Sequence, residues 1–372
     1  MSAASEKSRN PKRSTLEASL AKRLEVSEPQ VAVHKLVRRA LKARLTRVFE
    51  ELRRTGMRSR PSAEDVHQLR VATRRATAAL DTFEDCLPKK RRQRLRKHLR
   101  NIRQAASTIR DLDIVVISQK QTGLTLKDAD RRRLRRRISR CRRQEQKALR
   151  KLTCRRQRRR FRREAKQLVR RTRWRGSGAE PSFSAAAQLL LGPAVEKFFQ
   201  SAATTKWQTA SLHRLRISTK RLRYTLELVR PAIEDAALEA VYPELSEIQR
   251  RLGDLNDRAM SRSTYERWLA ETSHTARRQL CRTLIDAEES RLEAEIKSFR
   301  AWWSPQRQHT LKRKFAELET HRRTAASLAE SSLSRDKSLP DTPPDGSNQV
   351  SWNGTPVDST ARIGGLGDQP AT

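Results

Sequence analysis

The stretch HQLRVATRR at residues 67–75 returns as HRLRISTKR at residues 213–221, an offset of 146 positions. The same offset, with no gap, lays Leu80 on Leu226, Leu99 on Leu245, Ile102 on Ile248 and Asp111 on Asp257, with Asp81 matched by Glu227 and Ile109 by Leu255. Helical periodicity alone aligns Leu with Leu. It does not also align two histidines, three basic positions and two aspartates at fixed separation, so the chain reads as an internal duplication.

Around the first motif, Val66, Leu69, Thr73, Ala76, Leu80 and Phe83 recur at spacings of three and four, the signature of one buried helix face. Leu212, Leu215, Thr219, Leu222, Leu226 and Val229 repeat it, and Leu95, Leu99, Ile102, Ala106 and Ile109 make a third row. No segment alternates as a strand does, and the fold class is all-α. Breaks are expected near Gly56–Pro61, Pro88, Gln121–Gly123, Gly176–Pro181, Thr204–Thr205, Pro231, Gly253 and Ser304–Pro305. They leave about four helices on each side of Gly176, predicting two tandem four-helix bundles over residues 31–175 and 180–325. Residues 1–30 are Ser-rich, of mixed charge and weakly periodic, residues 330–372 are rich in Pro, Gly, Ser, Thr and Asp, and both read as disordered ends.

The 372 residues carry 83 Lys and Arg against 42 Asp and Glu, a net charge of +41. Such a chain repels itself, and a polyanion lying against the charge relieves that repulsion. Cys86, Cys141, Cys154 and Cys281 lack CxxC pairing and lie in helix-like segments, which argues against a zinc site or a disulfide framework. No stretch approaches the roughly 20 apolar residues of a membrane span. The N-terminus lacks a signal-peptide block and contains Glu6, Glu17, Glu25 and Glu28, so a cytoplasmic protein is expected.

The basic residues are patterned. His67, Arg70 and Arg74 run about 100° around the helix from the apolar face, bordering the core instead of opposing it. In the second half His213, Arg216, Lys220 and Arg223 do the same, and Arg96, Arg100, Arg103 and Arg110 flank the third apolar row. Two such rows facing across a groove offer forked donors at helical intervals, which suits a chain of phosphates better than one compact anion. Asp111 and Asp257 are read as acids that orient these arginines, since the cationic field disfavours a bound metal. Arginine crowding is expected to lower the histidine pKa. Between Lys89 and Arg175 stand 36 Lys and Arg against 6 Asp and Glu. A long basic helix over residues 127–173, with a heptad-like seam of Leu134, Ile138, Cys141, Ala148 and Leu152, is a candidate nucleic-acid contact.

The doubled pattern His-x-x-Arg-[Val/Ile]-x-x-[Arg/Lys]-Arg, with IRDLD from Ile109 and LGDLND from Leu252, resembles the CHAD domain family over roughly residues 31–325. The resemblance implies two bundles in pseudo-two-fold symmetry around a basic channel that binds inorganic polyphosphate. It carries over His67, Arg70, Arg74, Arg75, His213, Arg216, Lys220, Arg221 and Arg223 as anion-contacting positions. The halves also differ. Ala76-Thr77-Ala78 stands where the second half has Leu222-Arg223-Tyr224, and Tyr242, Ser246, Gln249 and Asn256 replace Arg96, Arg100, Arg103 and Arg110.

Three functions follow in order. The first is non-catalytic polyphosphate binding, with polyphosphate granules a candidate location and no cofactor. The second is nucleic-acid binding through phosphate contacts, where aromatics at 5% speak against stacking readers. The third is phosphotransfer through His67 or His213, which the lack of a GxxxxGK[ST] loop and of a magnesium-holding acid cluster puts last.

Overall fold

The computed structural model describes residues 31–121, 126–203 and 207–336, with side chains up to residue 320 apart from 120 and 121. The described residues form ten α-helices and no strand: α1 (Val33–Met57), α2 (Ala63–Thr82), α3 (Lys89–Gln121), α4 (Asp128–Thr153), α5 (Arg155–Arg170), α6 (Phe183–Ala202), α7 (Thr209–Val229), α8 (Asp235–Ala270), α9 (Thr275–Trp302) and α10 (Pro305–Asp336). Short 3₁₀ turns, Glu84–Cys86 and Arg230–Ala232, follow α2 and α7. The starts of α2 and α7, of the two turns, and of α3 and α8 each keep the 146-residue offset.

All three apolar rows read from the sequence are buried. The first half closes its core with α1 and α5, and Phe183 and Ala186 of α6 join that core. A second core gathers α6 to α10 around Phe198, Trp303 and Phe315. A third, smaller one unites the ends of α3 and α8 with α4 and α9 through Leu112, Val115, Leu134, Tyr265, Trp268 and Leu284. Across the halves α2 packs on α7 and α3 on α8. At Gly56 a side chain would put its Cβ 2.3 Å from the carbonyl oxygen of Thr153, so the absence of one lets α1 and α4 meet.

Several expectations are corrected. Each half holds five helices where about four were expected: in the first half the basic segment 127–173 is two helices, since Cys154 adopts extended backbone (φ −64°, ψ 161°) and the chain restarts at Arg155. The seam of α4 drifts from the heptad. Leu134, Ile138, Gln146, Leu149 and Thr153 are buried while Ala148 is exposed, as a straight 3.6-residue helix requires. Gly253 does not end α8, which runs on to Ala270 before breaking at residues 271–274; one glycine costs only about 1 kcal/mol in a helix flanked by good formers. Cys86 lies in a 3₁₀ turn and Cys154 between helices, and all four cysteines are free. Helix α10 reaches Asp336, beyond the boundaries expected at 325 and 330. The expected disorder of residues 1–30 and 337–372, and the breaks at 122–123 and 204–205, lie outside the described residues. No described helix is long and apolar enough to cross a membrane.

Candidate anion-binding site

The rotation of α2 is set at its first turn. The Ser62 hydroxyl accepts from the Asp65 amide at 3.1 Å, and Asp65 Oδ2 accepts from the Ser62 amide at 2.9 Å, a reciprocal cap. From the end of α1, Arg54 and Arg58 close on the same carboxylate at 2.7 and 2.9 Å. Burial works to raise the Asp65 pKa, but the Ser62 hydrogen bonds and the two arginines hold it below the usual range.

With Val66 and Leu69 seated in the core, His67, Arg70 and Arg74 are left half-buried at its border. There they meet residues of three other helices: Arg103, Arg110 and Asp111 from α3, Arg216 and Lys220 from α7, and Asp257 from α8. Each of these rows sits where the pairings of α2 with α7 and of α3 with α8 turn it toward the other half. Lys220 is pushed down to about 6, by burial first and then by Arg216, Arg74 and Arg70, against the opposing pull of Asp257. Arg70 falls to about 10 through burial and the charges of Arg74 and Arg110, with Asp111 and Asp257 opposing. Burial, then Arg74, lowers Arg216. Burial raises Asp111, and its arginine neighbours only partly offset it.

Five arginines, with Lys220 and His67 among them, thus face two carboxylates. The Nε atoms of Arg70, Arg74 and Arg216 are buried with no hydrogen-bond partner among the described residues. An unmet buried donor costs on the order of 1–3 kcal/mol, more when charged. The arrangement is poised for acceptor atoms that bring negative charge. No group of three potential metal ligands occurs among the described residues.

Other expected site residues are placed differently. Arg75 closes on Glu227 with Nε at 3.1 Å and Nη2 at 3.2 Å, and Arg44 of α1 donates to the same carboxylate at 3.1 Å. The Tyr242 hydroxyl donates to it at 3.1 Å, while Arg223 reaches Tyr242 at 3.0 Å and Gln249 at 2.9 Å. Arg96 is held by Asp81 at 2.8 Å. Arg75, Arg96 and Arg223 are therefore already engaged by protein acceptors. Arg100 is exposed beside Arg103. His213 and Arg221 are exposed on α7 with Ile217, so one histidine, His67, stands among the facing charges. Its pKa is lowered first by burial and only then by Arg110, Arg74 and Arg70, a different ranking from the crowding expected.

Sequence reasoning missed Glu227 as a hub. The signal was present: Asp81 and Glu227 occupy one repeat position, and their partners Arg96 and Tyr242 occupy another. Arg44 had no such marker, and nothing in its local pattern sets it apart from other helix-surface arginines.

The family model for the CHAD domain matches residues 43–266. A crystal structure of the CHAD domain from the plant Ricinus communis is similar with TM-score 0.62 at 19% identity, covering 74% of this chain and 93% of that one. PptA from Streptomyces chartreusis is similar with TM-score 0.54 at 15% identity, covering 77% of this chain and all of that one. No curated protein sequence matches the chain.

Proposed function

We propose that this chain, which belongs to the CHAD domain family, binds inorganic polyphosphate without transforming it, through Arg70, Arg74, Arg103 and Arg110 of one half and Arg216 and Lys220 of the other. The observation that carries the reading is the set of buried Nε donors on Arg70, Arg74 and Arg216 that no described acceptor meets. Guanidinium forks spaced along helices engage successive phosphates of one chain, and the ligand's charge offsets the burial, and after it the repulsion from Arg216, Arg74 and Arg70, that hold Lys220 near 6. Asp111 and Asp257 keep the arginines aimed between ligands, and His67 adds a donor at the rim. Arg75, Arg96 and Arg223 hold the framework, while Arg100, His213 and Arg221 extend the contact for longer chains. Residence on polyphosphate granules fits this role.

The test compares long polyphosphate with orthophosphate at equal phosphate concentration. Long chains bind far more tightly, with affinity levelling once the chain spans the cluster. The double variant Arg70→Glu, Arg216→Glu retains its helical circular dichroism and binds at least about 100-fold more weakly, two lost charge-assisted contacts of roughly 1.5 kcal/mol or more each. Undiminished binding by that variant refutes the assignment.

A further inference from the structure

Helix α5 carries nine Lys and Arg in sixteen residues with one acid, Glu164. Its inner face is committed, since Phe161, Ala165 and Leu168 are buried in the first core. Glu164 is turned toward Arg160 at 3.0 Å and His98 at 3.6 Å, so it does not neutralise the outer face. On that face Arg159, Arg162, Arg163, Lys166, Gln167 and Arg170 line a shallow cleft of about 450 Å³. Arg162 is steadied over the Phe49 ring at 5.3 Å, and Arg91 of α3 donates to Gln167 at 2.6 Å, adding a cation at the edge. None of these residues is among the groups facing the cluster of Arg70 and Lys220.

We infer that the outer face of α5 is a second binding surface, specific for the phosphate backbone of a nucleic-acid duplex and blind to its sequence. The chemistry selects this partner over others. The face exposes no large apolar side chain: those exposed in the described residues are Met57, Ile117, Leu189 and Ile217, all on other helices. A lipid surface held by an amphipathic helix needs an apolar face toward the acyl chains, and the apolar face of α5 is inside the protein. A protein partner needs aromatic or aliphatic anchors, and a single strand needs stacking platforms; the cleft offers neither.

Length fits as well. From Arg159 to Arg170 the stripe rises about 17 Å, over which a duplex presents about ten phosphates, roughly half on the near side. Five cations in the cleft meet about five phosphates. The duplex holds those phosphates in fixed positions, whereas a flexible inorganic chain must be ordered along an open, solvated face with no buried donor to reward it.

The experiment measures fluorescence anisotropy of a labelled mixed-sequence duplex of about 20 base pairs with the full chain, across a salt series. The plot of log affinity against log salt falls with a slope of about −4 to −5, and scrambled duplexes bind alike. The variant R159Q/R162Q/R163Q/K166Q/R170Q keeps helix-forming residues at exposed positions. It loses at least about tenfold in duplex affinity and most of the salt slope, while binding long polyphosphate as before. The double variant R70E/R216E does the opposite. Duplex binding that survives the α5 substitutions, or disappears with the R70E/R216E pair, overturns the inference without touching the polyphosphate reading. Loss of polyphosphate binding in place of duplex binding in the α5 variant assigns the face to inorganic chains and overturns it too. A salt slope near zero in the unmodified protein refutes it before any variant is made.

Discussion

Polyphosphate binding should take up a proton, and Lys220 is where it goes. The half-buried Lys220 amine faces Arg216 from its own helix and Arg74 and Arg70 from α2, with Asp257 of α8 the sole acid among its principal neighbours. At a pKa of about 6 only about one amine in a hundred is protonated at pH 8. The ligand's negative charge reverses the balance and returns the ammonium, so the bound state holds close to one proton more than the free state. Affinity then weakens as pH rises, by up to about tenfold per unit between pH 7 and 9, and flattens below about 6 where the amine is already charged. Long chains are the appropriate ligand because their interior units stay singly charged across this range. Calorimetry in two buffers of different ionisation enthalpy reads the uptake directly: about one proton at pH 8 and about half that at pH 6. His67, also lowered, adds uptake only toward the acid end, where the variant His67→Gln removes it. If Lys220→Met shows the same pH slope as the unmodified protein, the amine is not the source and the reasoning about the cluster is wrong.

Three further outcomes follow from named contacts. Lys220→Met stabilises the ligand-free protein by about 1–2 kcal/mol in chemical denaturation at pH 6, since it removes a buried like charge. The gain shrinks as pH rises from 6 toward 10.5, because the folded lysine must give up a proton that the unfolded chain keeps, and that proton is easier to lose at higher pH. Glu227→Ala strands Arg44, Arg75 and Arg223 together and destabilises by about 3–5 kcal/mol, read as a lowered denaturation midpoint at unchanged slope. Phe161→Ala, which empties the fully buried anchor of α5, costs about 3–5 kcal/mol, and limited proteolysis should then cut first within residues 155–170.

Much of the site was legible because a buried apolar row fixes, by helical geometry, which neighbouring positions border the core. That is how Arg70, Arg74, Arg216 and Lys220 enter the candidate site. The count of helices was less legible, since Cys154 breaks the chain by its backbone conformation with no Gly or Pro to announce it, while Gly253 announces a break that flanking helix formers override. Least legible was which arginines are free. Thr77 on α2 and Arg103 on α3 correspond to Arg223 on α7 and Gln249 on α8, so each half supplies one guanidinium at this level, from opposite sides. Pattern alone cannot show that Arg223 is then drawn to Tyr242 and Gln249 while Arg103 stays among cations; that depends on acceptors 19 and 26 residues away.

Two rows of like charge cannot hold two halves together, so the assembly must be secured elsewhere. It is secured by the apolar core that joins the ends of α3 and α8 to α4 and α9, and by carboxylates that bridge the halves. Glu227 of α7 gathers Arg44 and Arg75 from the first half and, through Tyr242, α8 of the second. On α9 the fully buried Glu288 accepts from Ser118 of α3, and Arg258 of α8 donates to that same hydroxyl at 2.8 Å and reaches Glu295 at 3.1 Å. These hubs hold the cationic rows face to face before any anion arrives. On the proposed reading, the repulsion is stored in the ligand-free protein and released when a polyanion binds, and donors held unmet in a fixed frame would lose less to reorganisation than the same residues on a pliant surface.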